Sequence, residues 1–280
     1  MIGHAVLIGY NTNGFAFHRL DDALEIIAEL GYRCAAISVD HHALNPFDSD
    51  IDQQVERVRG LLARLDLACV IETGARFLLD PRRKHHPTLL DRRAGGREKR
   101  LDFLRRCVDI AARLDSLALS FWSGAIAPAQ EEPVAFDLLA ESCRELADYA
   151  AERGLALAFE PEPGMFIDSL ASYERLAGAV RRGNFGLTID VGHLWCNEAP
   201  PQPDLIRRFA PKLANLHLDD MRQGIHDHLF FGDGQVDFPA VFAALHDAGY
   251  QGPACVELSR HSHDAVQTAK RAKAFLAHFA

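Results

Sequence analysis

Short apolar runs alternate with longer amphipathic stretches along the 280 residues of the chain. The short runs predict eight strands, at residues 5–10, 34–39, 67–71, 117–121, 155–159, 185–189, 213–218 and 254–258. The amphipathic stretches predict about eight helices, the clearest of them at residues 20–30, 51–65, 98–114, 134–153 and 264–279. A regular alternation of strand and helix is typical of repeated βα units.

Eight such units predict a (β/α)8 TIM barrel, an α/β fold of about 250 residues, so we expect one domain over residues 1–280. The main rival is a doubly wound open sheet, since alternation alone does not separate the two folds. No GxGxxG sequence follows the first predicted strand, which weakens the nucleotide-binding form of that rival. No linker divides the chain.

Composition and charge limit the classes of protein to which this chain can belong. Hydrophobic residues make up 48% and charged residues 25%, as in ordinary globular proteins, and the net charge of −9 disfavours binding to nucleic acid. The six cysteines are scattered without a CxxC pair, which favours a reducing compartment. Residues 1–9 lack the features of a signal peptide, and no apolar run approaches the roughly 20 residues of a membrane span. We therefore expect a cytoplasmic protein without a nucleic-acid or membrane partner.

Ionisable side chains mark the C-terminal ends of the last four predicted strands. Glu160 and Asp190 directly follow two of these strands, and His217 and Glu257 lie just before the ends of the other two. In a closed barrel these ends surround one mouth, where three carboxylates would repel one another unless a cation lay between them. The residues therefore predict one divalent metal ion, with Mn²⁺ the leading candidate and Co²⁺, Mg²⁺ and Zn²⁺ as others. The alternative is a polar mouth without metal.

Five motifs resemble the xylose isomerase-like barrel superfamily. They are FEPEPG at 159–164, TIDVGH at 188–193, NLHLDD at 215–220, HDHLFFGDGQVDF at 226–238 and VELSRH at 256–261. That superfamily groups sugar isomerases and epimerases, inosose dehydratases and endonuclease IV-type DNA repair enzymes. The resemblance implies a TIM barrel whose metal ligands are Glu160, Asp190, His217 and Glu257.

The resemblance also implies roles for individual residues. In the epimerase branches, Glu160 and Glu257 would serve as acid and base while they bind the metal. His193 and His228 would contact the substrate, although a structural hydrogen bond and an exposed loop position are the alternatives. Glu162 competes with Glu160 as a ligand, but the prolines on either side of Glu162 indicate that the strand has ended.

Two long predicted loops, at 73–96 and 219–234, would lie on the active-site face because both follow strands. The basic run Arg82–Lys84 in the first loop is a candidate contact for a phosphate or carboxylate, and otherwise a solvated surface. Arg222 in the second loop is a further candidate for substrate binding. Trp122, after the fourth strand, is a candidate platform for a sugar ring, and otherwise a loop anchor.

These residues predict a metal-dependent isomerase or epimerase that transfers a proton at the carbon next to a carbonyl of a sugar or cyclitol. An inosose-type dehydratase is a close alternative, since it would form the same enolate and then expel a β-hydroxyl. An endonuclease IV-type hydrolase is less favoured, because that branch uses three zinc ions and histidines after earlier strands, where this chain has Glu72 and Trp122. A non-catalytic binding barrel is a third alternative, and the sequence leaves a homo-oligomer open.

Overall fold

The strands of the chain build one closed ring in the computed structural model, which describes residues 6–128 and 130–279. The strands of this described part are β1 (Leu7–Asn11), β2 (Cys34–Ser38), β3 (Ala68–Glu72), β4 (Leu119–Phe121), β5 (Leu157–Phe159), β6 (Phe185–Asp190), β7 (Leu213–Leu218), β8 (Asp220–Arg222), β9 (Ile225–Leu229) and β10 (Pro253–Val256). Strands β1 to β7 and β10 pair in parallel, and β10 closes the ring by pairing with both β7 and β1. The predicted (β/α)8 TIM barrel is confirmed.

Helices follow the barrel strands and pack around the ring. They are α1 (Leu20–Glu29), α2 (Ile51–Leu65), α3 (Ala94–Arg113), α4 (Glu132–Ala151), α5 (Leu170–Val180), α6 (Val191–Asn197), α7 (Gln202–Phe209), α8 (Phe238–Asp247) and α9 (Ala265–Leu276). Local sequence explains several of their starts. Ser169 accepts a hydrogen bond from the backbone of Ser172 in a capping box before α5, and Asp237 caps α8 through the Ala240 N–H.

Three boundaries differ from the prediction in ways that matter for function. The third strand was predicted to end at residue 71, but it continues to Glu72, which therefore belongs to the barrel wall. The loop predicted at 219–234 contains an antiparallel hairpin, β8 and β9, and is not irregular throughout. The first strand was predicted to begin at Ala5, which, like residues 1–4, lies outside the described residues.

The interior of the barrel is filled with small side chains in its middle layer. The buried cluster there consists of Cys34, Ala36, Val70, Ala118, Ala158 and Cys255. Side chains alternate between the two faces of a strand, so the residues two positions further along face the same interior. For five of the six, those residues are Ser38, Glu72, Ser120, Glu160 and Glu257. The alternation that packs the middle of the barrel therefore turns polar side chains into its C-terminal mouth.

Gly9 on β1 shows how closely the strands approach in this layer. A Cβ atom on Gly9 would lie 2.5 Å from the Cys255 Sγ and 2.7 Å from the Cys34 carbonyl oxygen. Both neighbours belong to strands that pair with β1, on either side of it. Only glycine fits there without moving a strand.

Large apolar side chains fill the layer between the strands and the helices. Phe121, Phe159, Tyr173 and Phe185 form a buried aromatic cluster, with ring centroids 5.2 Å apart for Phe121 and Phe159 and 5.7 Å apart for Phe159 and Phe185. The six cysteines are buried and free, as expected for small packing residues, and burial raises the pKa of the Cys69 thiol to about 12. Across the described residues, no helix has the length and apolarity to span a bilayer.

Substitution of Phe159 by alanine is expected to lower the free energy of unfolding by about 3–5 kcal/mol, because the truncation leaves a cavity in the aromatic cluster. Phe17 is the matched control, since its side chain is 81% exposed, and we expect Phe17→Ala to change stability by less than about 0.5 kcal/mol. Denaturant unfolding followed by tryptophan fluorescence and circular dichroism measures both. Equal losses for the two variants would contradict the packing described here.

Candidate metal centre and active site

The four ionisable residues of the last barrel strands meet at one point. Glu160 directly follows β5, Asp190 ends β6, His217 lies in β7 and Glu257 directly follows β10. Their carboxylate oxygens face the Nδ1 atom of His217, at 2.7 Å for Glu257 Oε2, 3.1 Å for Glu160 Oε1 and 3.9 Å for Asp190 Oδ2. One ligand atom from each of the four lies within 4.8 Å of every other.

This donor set fits a divalent cation. The two carboxylate oxygens of Asp190 have different environments. Oδ1 accepts the His193 N–H at 2.9 Å and so caps α6. Oδ2 is buried and has no hydrogen-bond partner among the described residues. A buried carboxylate oxygen without a donor is costly unless a cation lies near it. Three carboxylates and one imidazole are ligands that Mn²⁺, Zn²⁺ and related divalent ions accept.

The electrostatics of the cluster favour positive charge at its centre. Burial opposes protonation of His217, but Glu257, Glu72 and Glu160 outweigh it and raise the pKa of the imidazole well above 6.5. Burial raises the pKa of Glu160 to about 8, although His217 opposes the shift. Burial also acts to raise the pKa of Glu257, but the imidazole of His217 lowers it overall. A divalent cation at the mouth would supply this positive charge and reduce the repulsion among the carboxylates.

Glu72 is a residue of the centre that the sequence analysis did not assign. Its Oε1 atom accepts hydrogen bonds from His217 Nε2 at 2.8 Å and from Asn215 Nδ2 at 3.0 Å. With a metal bound, this contact would keep the ring proton on Nε2, so that Nδ1, which faces the three carboxylates, would serve as the ligand atom. The signal was present in the sequence, because the run ACVIE ends in a glutamate just as LALAFE does.

Asn13 is a second residue that the sequence analysis did not find. It lies in a short 3-10 turn, Thr12–Phe15, and the side chain of Asn11 accepts the backbone N–H of Asn13 at 3.0 Å. The Asn13 amide donates to Glu257 Oε1 at 2.8 Å. Both oxygens of Glu257 are therefore held, one by Asn13 and one beside His217, so this carboxylate is fixed in orientation.

The predicted substrate contacts His193 and His228 lie beside the centre together with His226. His193 is buried, with Nδ1 at 3.7 Å from Glu160 Oε1 and Nε2 at 3.1 Å from His226 Nε2. His228 Nδ1 lies 2.5 Å from Oδ2 of the buried Asp219. The other oxygen of this carboxylate, Oδ1, accepts the Gly192 N–H. Nitrogens of the three histidines also lie within 4.8 Å of one another.

The imidazoles of His193 and His228 differ in their charge near pH 7. Burial lowers the pKa of His193 to about 4, so its imidazole is neutral near pH 7. Burial also acts to lower the pKa of His228, but the hydrogen bond to Asp219 and the charges of Asp219, Glu257 and Asp190 together outweigh it and raise the pKa to about 10. The wall of the mouth therefore presents one neutral and one charged imidazole to a ligand.

A cavity of about 450 Å³ opens above the centre. The other residues that the sequence marked as candidates differ in whether they line this cavity. Trp122 lines it, with its ring 5.2 Å from that of His85 in an edge-on contact, and Glu162 and Lys84 line it too. Arg222 lies outside the lining, where its exposed guanidinium donates to the Asp233 carbonyl oxygen at 2.7 Å. The structure therefore places the Arg222 guanidinium away from the lining of this cavity.

The sequence of residues 24–279 matches the xylose isomerase-like TIM barrel family. The fold is similar to that of D-allulose 3-epimerase from Methylomonas sp. in complex with D-allulose, with a TM-score of 0.77 and 20% identity over 98% of this chain and 97% of that one. It is also similar to the IOLI protein, solved with a zinc atom, with a TM-score of 0.79 and 17% identity over 98% and 99% of the two chains.

Sequence similarity to a curated relative is confined to part of the chain. A segment of 138 residues is 30% identical to inosose dehydratase from Klebsiella pneumoniae subsp. pneumoniae. The alignment covers 42% of this chain and 46% of that protein, so the chain matches less than half of the relative's length.

Substitution of Asp219 by asparagine is expected to bring the pKa of His228 from about 10 to 6.5 or lower, since the carboxylate that favours the charged imidazole is removed. A raised folded-state pKa stabilises the fold fully below pH 6.5 and loses that stabilisation as pH rises toward 10. The wild-type free energy of unfolding should therefore fall over that window by up to about 5 kcal/mol more than that of the variant, at about 1.4 kcal/mol for each pKa unit.

NMR titration of isotope-labelled histidines in metal-free protein measures the pKa directly. Asp168→Asn is the control, because Asp168 is exposed and its carboxylate makes no hydrogen bond within the described residues. An unchanged His228 titration in Asp219→Asn would exclude Asp219 as the cause.

Proposed function

The chain belongs to the xylose isomerase-like TIM barrel family, and on that premise we propose that it is a metal-dependent isomerase or epimerase. The reaction would transfer a proton at the carbon next to a carbonyl of a sugar or cyclitol. The observation that carries this proposal is the convergence of Glu160, Asp190, His217 and Glu257 in the mouth of the barrel. These four residues would hold the metal, with Mn²⁺ the leading candidate.

A bound divalent cation would supply positive charge to a substrate oxygen that becomes negative as the neighbouring C–H bond breaks. The protein must supply the base and the acid. Glu160 and Glu257 stand at the two ends of the arc formed by β5, β6, β7 and β10, with Asp190 and His217 between them. This arrangement supports one carboxylate on each side of a bound substrate, as proton removal from one face and return to the other requires.

The neighbouring side chains would position the substrate. The neutral imidazole of His193 can donate or accept a hydrogen bond, whereas the charged imidazole of His228 donates. Trp122 offers an apolar wall to the flat face of a ring. Asn13 would keep Glu257 oriented through the 2.8 Å hydrogen bond to Oε1.

A dehydratase is the second candidate, and the similarity to inosose dehydratase is the observation that favours it. Both reactions begin with removal of a proton next to a carbonyl. A dehydratase then expels a β-hydroxyl, whereas an isomerase or epimerase returns the proton. The products therefore differ by one water molecule, which mass spectrometry separates.

The first test is exchange of solvent deuterium into a panel of ketoses and inososes by the Mn²⁺-loaded protein, followed by mass spectrometry. We expect Glu257→Gln to lower the exchange rate by about 100-fold or more, because one proton-transferring carboxylate is lost. Elemental analysis of the same preparations should give about one metal ion per chain for the wild type and less for the variant.

Glu141→Gln is the matched control, since Glu141 is exposed on α4. A wild-type protein that binds no divalent metal, or that exchanges deuterium into no member of the panel, would contradict the proposal. Full exchange by metal-loaded Glu257→Gln would remove Glu257 from the acid–base step.

Glu72→Gln tests how the centre is held. The amide can no longer hold the Nε2–H of His217 as strongly as a carboxylate, so we expect metal affinity to fall by about 10–100-fold. Calorimetric titration with Mn²⁺ measures this directly, and Glu29→Gln on the exposed face of α1 is the control. An unchanged affinity would show that the contact of Glu72 with His217 does not support metal binding.

A further inference from the structure

Charge is distributed unevenly around the cavity. Its floor carries the carboxylates of the centre, whereas the wall formed by the loop after β3 carries cations. Of the basic residues in that loop, Arg76 and Lys84 line the cavity, whereas Arg82 and Arg83 lie outside its lining. The proposed function does not use either of the two lining cations.

The backbone of this loop brings the two residues together. The His85 N–H donates to the Arg76 carbonyl oxygen at 2.6 Å, so Lys84 comes next to Arg76 although eight positions separate them in the sequence. His85 Nδ1 also lies 2.6 Å from the Gly74 carbonyl oxygen, and its ring meets Trp122 edge-on. The loop is therefore tied to its own beginning and to the cavity wall at the residue that follows Lys84.

Little negative charge compensates this wall. Lys84 makes no ion pair within the described residues, and the salt bridge of Arg76 is a long one, 3.4 Å from its guanidinium to Asp40 Oδ2. By contrast, Arg260 on another part of the lining is paired with Asp227. Burial raises the pKa of Glu162 to about 7 and lowers the pKa of His226, and the Lys84 ammonium is a smaller influence that acts to lower both.

A third cation lies behind the wall. Arg100 is fully buried, and the only hydrogen bond of its side chain within the described part of the chain is from Nη2 to the Thr73 carbonyl oxygen at 2.8 Å, which leaves Nη1 without a partner. Its guanidinium lies 4.8 Å from the centre of the Trp122 ring, which lines the cavity. A buried guanidinium without a carboxylate is unfavourable, and an anion bound nearby would reduce that cost.

We propose that the substrate carries an anionic group, a carboxylate or a phosphate ester, which Arg76 and Lys84 bind at the wall opposite the reacting carbons. The inference rests on the proposed function, since it specifies the class of sugar that this site converts. The anionic end would be held by the loop after β3, and the carbonyl end would reach the metal centre. The reverse orientation would place the anionic group beside the carboxylates of the centre, which disfavours it. The charged wall therefore sets the direction in which the substrate enters.

The test is calorimetric binding to the Mn²⁺-loaded protein of four ketohexoses, fructose, psicose, tagatose and sorbose, each as the neutral sugar, the 6-phosphate and the 6-carboxylate. At least one anionic form is expected to bind about 10-fold or more tightly than its neutral parent. Lys84→Gln and Arg76→Gln should remove that preference, so that each anionic form binds about as tightly as its neutral parent. The phosphate and carboxylate series show which anion the wall accepts.

Arg82→Gln is the matched control, since it removes a cation of the same loop that lies outside the lining, and it should retain the preference. Equal affinities within every series, or no measurable binding of any anionic form, would overturn the inference. Failure of the proposed function is a different result, because it appears as an absence of deuterium exchange into sugars that do bind.

Discussion

The structure of the mouth depends on one imidazole ring placed among four carboxylates. His217 meets Glu160, Asp190 and Glu257 through Nδ1 and meets Glu72 through Nε2. So many buried acids are unfavourable together unless positive charge lies among them. The ring holds these acids around a common point, and Asn13 and Asn215 donate to individual oxygens so that each keeps its direction.

Chemistry and recognition are supported by different parts of the fold. The residues that would carry the reaction stand in or directly after barrel strands, whose positions are fixed by hydrogen bonds on both sides. The residues that would select the substrate stand on loops, where a backbone hydrogen bond from His85 to Arg76 brings Lys84 beside Arg76. A change of loop sequence can therefore alter which molecule enters without disturbing the centre.

Sequence patterns predicted much of this arrangement because strand ends in a parallel barrel necessarily meet. The positions of Glu160, Asp190, His217 and Glu257 followed from that constraint alone. Glu72 was missed because the predicted strand stopped one residue early. In a strand of five residues, one position decides whether a glutamate belongs to the wall or to a loop.

Loop residues were predicted less well, since loop conformation depends on contacts that periodicity does not contain. Three consecutive basic residues in the loop after β3 are equivalent in the sequence, yet only Lys84 faces the cavity. Arg222 was a candidate for substrate binding but lies on a hairpin that turns its guanidinium toward the Asp233 carbonyl oxygen. Asn13 gave no signal, because nothing in its neighbourhood identifies it as the partner of a strand-end residue far along the chain.

The close packing at Gly9 links the middle layer of the barrel mechanically to its mouth. Cys255, which a side chain at position 9 would push, belongs to β10, and Glu257 follows two residues later. A methyl group added at position 9 would act as a wedge between β1 and β10 and displace Glu257 relative to His217. The geometry of the centre is therefore sensitive to side-chain volume at a place that no substrate reaches, and the barrel transmits that change along one strand.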